Sequence, residues 1–328
     1  MDNITHSLTG ALAAKIIETS DPESGRTPAD QRVLFWLMVV CANLPDIDVI
    51  LNFSRDQFYS VQHHRGLTHS LLFAPLLSFL PALTVYLFSS FKNLKTLWVT
   101  ALVGVYLHIF FDLITSFGTK LFAPLSAVRY SLDWMFIIDP LFTLMIALLL
   151  FLGRRSKENK QSFTAAAGIF VGSYLVLEFV CHAVAYRTVD KLALEYHLAP
   201  QKISALPQPL NLFRWMGLIQ TGEGVEQTFF SVFDDGPAVL RAYPHARDAF
   251  TEKALQTKEA AVFFGFARHT WIQSIPEQNG HIVEMRDQQF SFNPELARAF
   301  GVTNPRTPFV LRFYYSSAGE LDSVKFNR

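Results

Sequence analysis

The chain has 328 residues, half of them hydrophobic and 17% charged, with as many acidic as basic side chains. A formal net charge of zero leaves no bulk basic field, which excludes the electrostatics of a nucleic-acid binder. The charge is unevenly spread: residues 66–91 contain no Lys, Arg, Asp or Glu, whereas the chain from about 187 onward has ordinary polarity. That is the pattern of a membrane part followed by a soluble part.

The N-terminal MDNITHSLTGALAAKII carries an acid, not basic residues, before its apolar run, so a retained N-terminus is expected in place of a cleaved signal peptide. ITHSLTGALAAKII (4–17) and RVLFWLMVVCANLP (32–45) are short apolar segments, expected to be tilted, partly inserted or sheltered by neighbours. SLLFAPLLSFLPALTVYLFSSF (70–91), TLWVTALVGVYLHIFFDLIT (96–115), WMFIIDPLFTLMIALLLFLG (134–153) and QSFTAAAGIFVGSYLVLEFVCHAVAY (161–186) each reach the about 20 residues that span a bilayer as helix. Six membrane helices are expected, with four as the alternative. Cys41 and Cys181 lie in apolar runs outside any CxxC pair and read as small buried hydrophobes.

Beyond residue 187, TFFSVF, AVFFGFAR, HIVEMRD and FVLRFYYSS read as strands, and residues 243–260 as helical. The Pro-rich APQKISALPQPLN (199–211) reads as a linker or an extended crossing. The fold class is therefore mainly α: a polytopic helical membrane domain over 1–186, then a soluble α+β domain over 187–328. Basic residues cluster in three alternating loops (Arg26 and Arg32; Lys92 and Lys95; Arg154, Arg155, Lys157 and Lys160), against Arg55, Arg65, Lys120 and Arg129 on the other side. The richer side is expected to be cytoplasmic, which makes the C-terminal domain extracytoplasmic in a bacterial inner membrane. With that topology His6, Asp46, Asp48, His63, His64, His69, His108, Asp112, Asp139, Glu178 and His182 all fall toward the non-cytoplasmic end of their segments.

Four of those segments carry chemistry. In YLHIFFDLIT, His108 and Asp112 are four apart and share a helix face. A carboxylate inside a membrane helix is costly unless it is paired or metal-bound. In ANLPDIDVI, Asp46 and Asp48 close an apolar helix after Pro45, and in HHRGLTHS, His64 and His69 flank an Arg-Gly pair in which Gly66 permits a tight turn. His6 sits near the N-terminus with Thr5, Thr9 and Gly10. Singly, these are caps, interfacial anchors or a structural His–Asp pair. Together they offer imidazole and carboxylate ligands without thiolates, which suits Zn²⁺ first and Mn²⁺ or Fe²⁺ next, in a number that exceeds one ion's needs. Two or more metals that activate water toward a phosphoester are expected.

LPDID, HHRGLTHSLL and GVYLHIFFDLITSFGTKLFAP, preceded by ITHSLTG, resemble the YdjM/YbcI-type inner-membrane metal-dependent hydrolases over about residues 1–150. A more distant similarity is to zinc-dependent phospholipase C and the S1/P1 nucleases. That likeness implies His69, His108 and Asp112 on one ion, His6 on a second with Asp112 bridging, and Asp46 or Asp48 as general base. It offers no clean match for the later His…His-xxx-Glu set of those enzymes. The metal ligands expected are thus His6, Asp46, Asp48, His64, His69, His108 and Asp112, with Asp46, Asp48, His64 and Arg65 as catalytic residues. Membrane lipid and a phosphoester are the expected partners, nucleic acid is not, and no protein partner is indicated. Two readings compete with a hydrolase: a transporter or relay, disfavoured by the apolar cytoplasmic halves of 70–91 and 134–153, and an assembly or sensor protein with a structural cluster. His245, His269 and His281 lack ligand spacing and read as surface or strand residues.

Overall fold

The computed structural model describes all residues except 22–24, 53–56, 157, 235–237, 292, 294–297, 299–307 and 328. Arg55 and Lys157, two of the basic residues counted for orientation, lie outside the described residues. The chain divides into two units, residues 1–53 with 63–180, and residues 54–62 with 181–328.

The first unit is helical. Helix α1 (Asn3–Ser20) starts at Asp2, whose carboxylate accepts from the amides of Ile4 and Thr5 at 3.0 Å. Helix α2 (Pro28–Cys41) opens on a capping box between Thr27 and Asp30 with proline in the first turn. A 3-10 turn (Leu44–Asp46) and the short α3 (Ile47–Asn52) follow, then α4 (Gln57–His63) and a second 3-10 turn (Leu67–His69). Next come α5 (Ala74–Phe88), α6 (Leu94–Leu113), α7 (Pro140–Arg155) and α8 (Lys160–Glu195).

The membrane count differs from the sequence expectation. Among the described residues, α6 and α8 are long and apolar enough to cross a membrane, and Val61–His69 with Ala74–Phe88, bent by 68°, adds a third if the pair is one span. Helices α2, α5 and α7 have 14, 15 and 16 residues, short of the about 20 that a perpendicular span needs. Helix α7 begins at Pro140 because Asp139 caps it, accepting from the amide of Phe142 at 3.0 Å. The preceding residues are held as extended chain, with the amides of Trp134 and Met135 on Ile114 O at 2.9 and 3.1 Å.

Two glycines set how closely helices approach. A Cβ on Gly104 of α6 would lie 2.9 Å from both Cys41 Cβ and Met38 O of α2, and one on Gly10 of α1 would lie 2.8 Å from Ala42 Cβ. With only hydrogen there, α1, α2 and α6 meet backbone to backbone one turn from His6 and His108. Around this contact Leu37, Cys41, Ala74, Leu97, Ala101 and Val105 form the core. Large apolar side chains such as Leu80, Leu144 and Ile169 are well exposed on the outside, an inverted surface that a bilayer would cover.

The second unit holds two four-stranded antiparallel sheets, each in sequential order. The first comprises β1 (Lys202–Gln208), β2 (Asn211–Gln220), β3 (Gly224–Ser231) and β4 (Arg241–Pro244). Helices α9 (Ala249–Leu255) and α10 (Lys258–Phe266) lead to β5 (Thr270–Glu277), β6 (Gly280–Asp287), β7 (Val310–Ser316) and β8 (Leu321–Asn327). The first sheet is covered on both faces. Ala205, Trp215 and Ile219 pack on Ala185, Val189 and Ala193 of α8, while Leu206, Met216 and Leu218 pack with Val225 and Trp271.

Two elements here correct the sequence reading. The Pro-rich 199–211 segment is strand β1, an edge strand in which Pro207, paired with Trp215, needs no outward amide and stands beside a register shift. AVFFGFAR falls largely in helix α10, not a strand: Thr257 caps it, and its buried Ala260, Phe263 and Phe266 recur at helical spacing. His269, expected at the surface or in a strand, precedes β5 and is fully buried.

Candidate metal centre

Four of the predicted ligands converge from three places in the chain. Asp46 ends the 3-10 turn after α2, His69 ends the second 3-10 turn, and His108 and Asp112 lie one turn apart on α6. His69 Nε2 lies 3.1 Å from His108 Nε2, 3.4 Å from Asp46 Oδ1 and 3.2 Å from Asp112 Oδ2. His108 Nε2 lies 3.6 Å from Asp46 Oδ1 and 3.5 Å from Asp112 Oδ2. Ligand bonds of about 2.0–2.1 Å to a tetrahedral zinc set ligand-to-ligand edges of roughly 3.3–3.4 Å, so the observed spacings match such a cage.

The hydrogen bonds around the cage fix what its atoms present. His108 Nδ1 donates to Ala42 O at 2.8 Å, which leaves Nε2 with its lone pair. Thr68 Oγ1 donates to Asp48 Oδ2 at 3.2 Å and so accepts from His69 Nδ1 at 3.0 Å, which leaves His69 Nε2 with its lone pair as well. Asp112 Oδ2 is buried with no hydrogen bond. Two imidazole lone pairs and two carboxylate oxygens therefore face one another in a site where His69, His108 and Asp112 are fully buried. Such a set is repulsive unless positive charge sits among the four atoms, and a divalent cation is the group it fits.

The remaining predicted residues surround the cage. Asp48 faces His64 Nδ1 at 3.0 Å and accepts from the Arg65 amide at 3.0 Å, and with Asp46 and His64 it forms a second group of convergent ligand atoms. Asp46 belongs to both groups. His6 stacks on His108 with ring centroids 3.8 Å apart, and its Nε2 lies 3.3 Å from Asp112 Oδ1. That oxygen also meets the amine of Met1 and, at 2.8 Å, Nη2 of Arg65.

Arg65 is buried. Its Nη1 reaches Thr115 Oγ1 at 3.1 Å, and its guanidinium stands over Phe117. Its φ is +54°, a conformation that costs a non-glycine residue on the order of 1–2 kcal/mol. The amide bond to Asp48, the amide of Lys120 on its carbonyl at 3.0 Å and the ion pair with Asp112 hold it there. The glycine of the Arg-Gly pair serves a different need: a Cβ on Gly66 would lie 2.7 Å from His63 O.

Asp139 and Glu178 are apart from the cage. Asp139 caps α7 and accepts from Tyr174 Oη at 2.6 Å, while Glu178 is buried with Oε2 lacking a hydrogen bond. His182 belongs to the second unit, near Trp215. Several participants were not singled out as site residues from the sequence, Met1, Phe117 and Lys120 among them. Thr115 stands three residues after Asp112 and was findable by helical spacing. Thr68 precedes a predicted ligand without any spacing that marks it, and Ala42 acts through its carbonyl, which no residue type announces.

A family model described as YdjM inner membrane protein matches residues 1–185. The chain belongs to this family. Every residue of the cage lies inside the matched region. A curated relative, the uncharacterized protein YfhP of Bacillus subtilis (strain 168), is 29% identical over 176 residues, 54% of this chain and 53% of its own length. The chain thus spans about half the length of the curated relative it matches. No solved structure matches the chain. None of these matches shows the likeness to phospholipase C and the S1/P1 nucleases.

Proposed function

We propose that this chain is a membrane-embedded, metal-dependent hydrolase of phosphoester substrates, lipid or lipid-linked. The observation that carries the reading is the cage: the facing Nε2 atoms of His69 and His108, 3.1 Å apart, closed by carboxylates of Asp46 and Asp112. A bound dication would supply Lewis acidity toward a phosphoryl oxygen and lower the pKa of water. Zinc is the first choice for this ligand set, with manganese and iron as alternatives. The group of Asp46, Asp48 and His64 supports a second ion that shares Asp46.

The protein's own groups divide the remaining work. His69, His108 and Asp112 are fully buried, while the side chains of Asp46 and His64 keep 13% and 14% of their surface exposed. A substrate would approach on the side of these two. With an ion in the cage alone, the second carboxylate oxygen of Asp46 would take the proton of the attacking water, and a protonated His64, held at Nδ1 by Asp48, would pass a proton from Nε2 to the leaving oxygen; a second ion on Asp46, Asp48 and His64 would replace that acid–base pair. Arg65 holds Asp112 from the far side of the cage. Ile47, next to Asp46 in sequence, and Leu67, three residues after His64, are exposed and favour a substrate with an apolar tail. On this reading the helices that are short for a span insert partway, sheltered by their neighbours. The boundary near residue 186 then separates the membrane domain from an extracytoplasmic one, an orientation supported by the basic-residue bias.

The test is metal analysis of purified full-length protein beside turnover of a chromogenic phosphodiester and of a phospholipid. Wild-type protein should carry zinc, manganese or iron and hydrolyse at least one substrate. His108→Ala should lose both properties. Full turnover by metal-free protein would sink the reading.

A further inference from the structure

Away from the metal centre, the helical unit carries a groove of about 940 Å³ between α1, α2, α7 and the start of α8. It lies well along the bundle from the cage, since Lys15, on its wall, stands nine residues beyond His6 on α1, or about 14 Å along the axis. Its lining is of two kinds. Phe35, Trp36, Leu150 and Phe151 form an apolar wall, with Trp36 61% and Phe151 53% exposed. Lys15, Arg32, Arg154 and Lys160 line the rest, against the single carboxylate of Glu18.

Glu18 holds Lys15 at 2.6 Å and Lys160 at 2.7 Å, so one negative charge is shared between two cations. The lining therefore keeps an excess of positive charge beside an apolar wall. Helix α8 begins at Lys160, which adds the positive end of its dipole to the same place. A soluble anion would satisfy the cations and leave Trp36 and Phe151 uncovered. A neutral lipid would cover the aromatics and leave the cations uncompensated. A lipid with a net negative headgroup does both.

We propose that this groove binds one anionic phospholipid of the surrounding bilayer, its phosphate held by Lys15, Arg32, Arg154 and Lys160 and an acyl chain laid along Trp36 and Phe151. The arrangement puts two guanidinium forks in one groove with an exposed tryptophan, the combination that suits a phosphate headgroup and the membrane interface. The site is separate from the metal centre and does not depend on the hydrolase reading.

The experiment uses the full chain in detergent and native mass spectrometry. Phosphatidylglycerol and phosphatidylcholine with identical acyl chains are added, and wild type is compared with Arg32→Gln/Arg154→Gln. Wild type should retain one phosphatidylglycerol with a preference of roughly tenfold over phosphatidylcholine, the effect of losing one or two cations beside an anionic lipid. The double variant should lose that preference while unfolding thermally at the wild-type temperature, which reports that it has folded. Equal retention of the two lipids by wild type, or an unchanged preference in the variant, would overturn the proposal. So would displacement of the lipid by glycerol 3-phosphate at matched concentration, which would mark a site for a soluble anion. A second measurement does not depend on charge removal: brominated phosphatidylglycerol should quench wild-type fluorescence more than that of Trp36→Phe, and equal quenching would overturn the assignment.

Discussion

Both units of the molecule bury histidine and aspartate, and they treat them differently. In the sheet unit Asp287 is fully buried, and donors fill its oxygens: the amides of Arg268, His269 and Gln289 at 2.9, 3.1 and 3.1 Å, and Gln289 Nε2 at 2.7 Å. Nearby His269 Nε2 meets Ser204 Oγ at 2.8 Å. In the helical unit Asp112 is just as buried, yet Oδ2 has no hydrogen bond and faces two imidazole lone pairs. Unsatisfied atoms occur in the sheet unit too, at Gln208 Oε1, Gln220 Oε1, Thr228 Oγ1, His269 Nδ1, Gln289 Oε1 and Tyr315 Oη, but among the described residues none of them belongs to a convergent group of imidazole and carboxylate ligand atoms. A buried polar group saturated by its own protein is structural. Several left facing one another are arranged for something that arrives later.

The sharpest way to break that contrast is to delete each aspartate in turn. Asp112→Ala removes a ligand and leaves the Arg65 guanidinium buried without its partner, so metal content should fall to background and stability by about 3–5 kcal/mol. Asp287→Ala should destabilise by roughly 1–3 kcal/mol through unsatisfied amides and leave the metal content of the folded protein unchanged. Metal analysis and thermal unfolding on the same samples read both effects. Metal lost equally from the two variants would show that the cage has no special claim on the ion.

A smaller perturbation acts through the support of the cage. Asp48→Asn keeps the shape of the side chain but alters the charge that orders Thr68, His64 and the Arg65 amide. Metal affinity should weaken about 10–100-fold, measured by competition with a chromogenic chelator. An unchanged affinity would remove Asp48 from the site.

Smaller again is the helix contact that aims His108. A Cβ on Gly104 would meet Met38 O and Cys41 Cβ at 2.9 Å, so Gly104→Ala must push α6 from α2 and stretch the 2.8 Å bond from His108 to Ala42 O. The expected cost is about 1–3 kcal/mol, with some loss of metal affinity. Gly172 on α8 has nothing within 4 Å of a Cβ, so Gly172→Ala should be neutral or stabilise by up to about 1 kcal/mol. Thermal unfolding with metal present compares the two.

The cage was legible in the sequence because its ligands come in short clusters whose spacing has a physical meaning. His108 and Asp112 share a helix face by their separation alone, and Asp46 and His69 each stand where a turn meets an apolar segment. What linked the clusters was not legible, since Gly10 and Gly104 act by what they lack and the Ala42 carbonyl belongs to the backbone. Elsewhere local composition misled. Prolines in APQKISALPQPLN suggest a linker because they cannot continue a ladder on both sides, yet an edge strand needs only one side. The apolar run of AVFFGFAR fits a strand or a helix equally, and the Thr257 cap decides for helix. Asp139 followed by Pro140 was a readable helix start, overlooked inside a longer apolar stretch.

The mildest expected effect tests the sheet side of the comparison. Arg268 Nη2 donates to Ser204 Oγ at 3.2 Å, which leaves the serine proton to point at His269 Nε2 and keeps that imidazole neutral. Burial first, then the positive charges of Arg268 and Lys202, hold the His269 pKa well below its ordinary value of 6.5. The folded chain therefore resists a proton that the unfolded chain accepts, so the stabilising contribution is complete above about pH 6.5 and declines as pH falls below it. At one unit below, the loss should be roughly 1.4 kcal/mol. His269→Gln cannot titrate, so its stability should fall less steeply between pH 7.5 and 5.5, by up to one proton. Measured with chelator present throughout, protonation of the metal ligands is common to both proteins and cancels in the difference. Parallel profiles would mean that His269 takes up its proton inside the fold, and the sheet unit would then hold a responsive polar group where the geometry indicates a silent one.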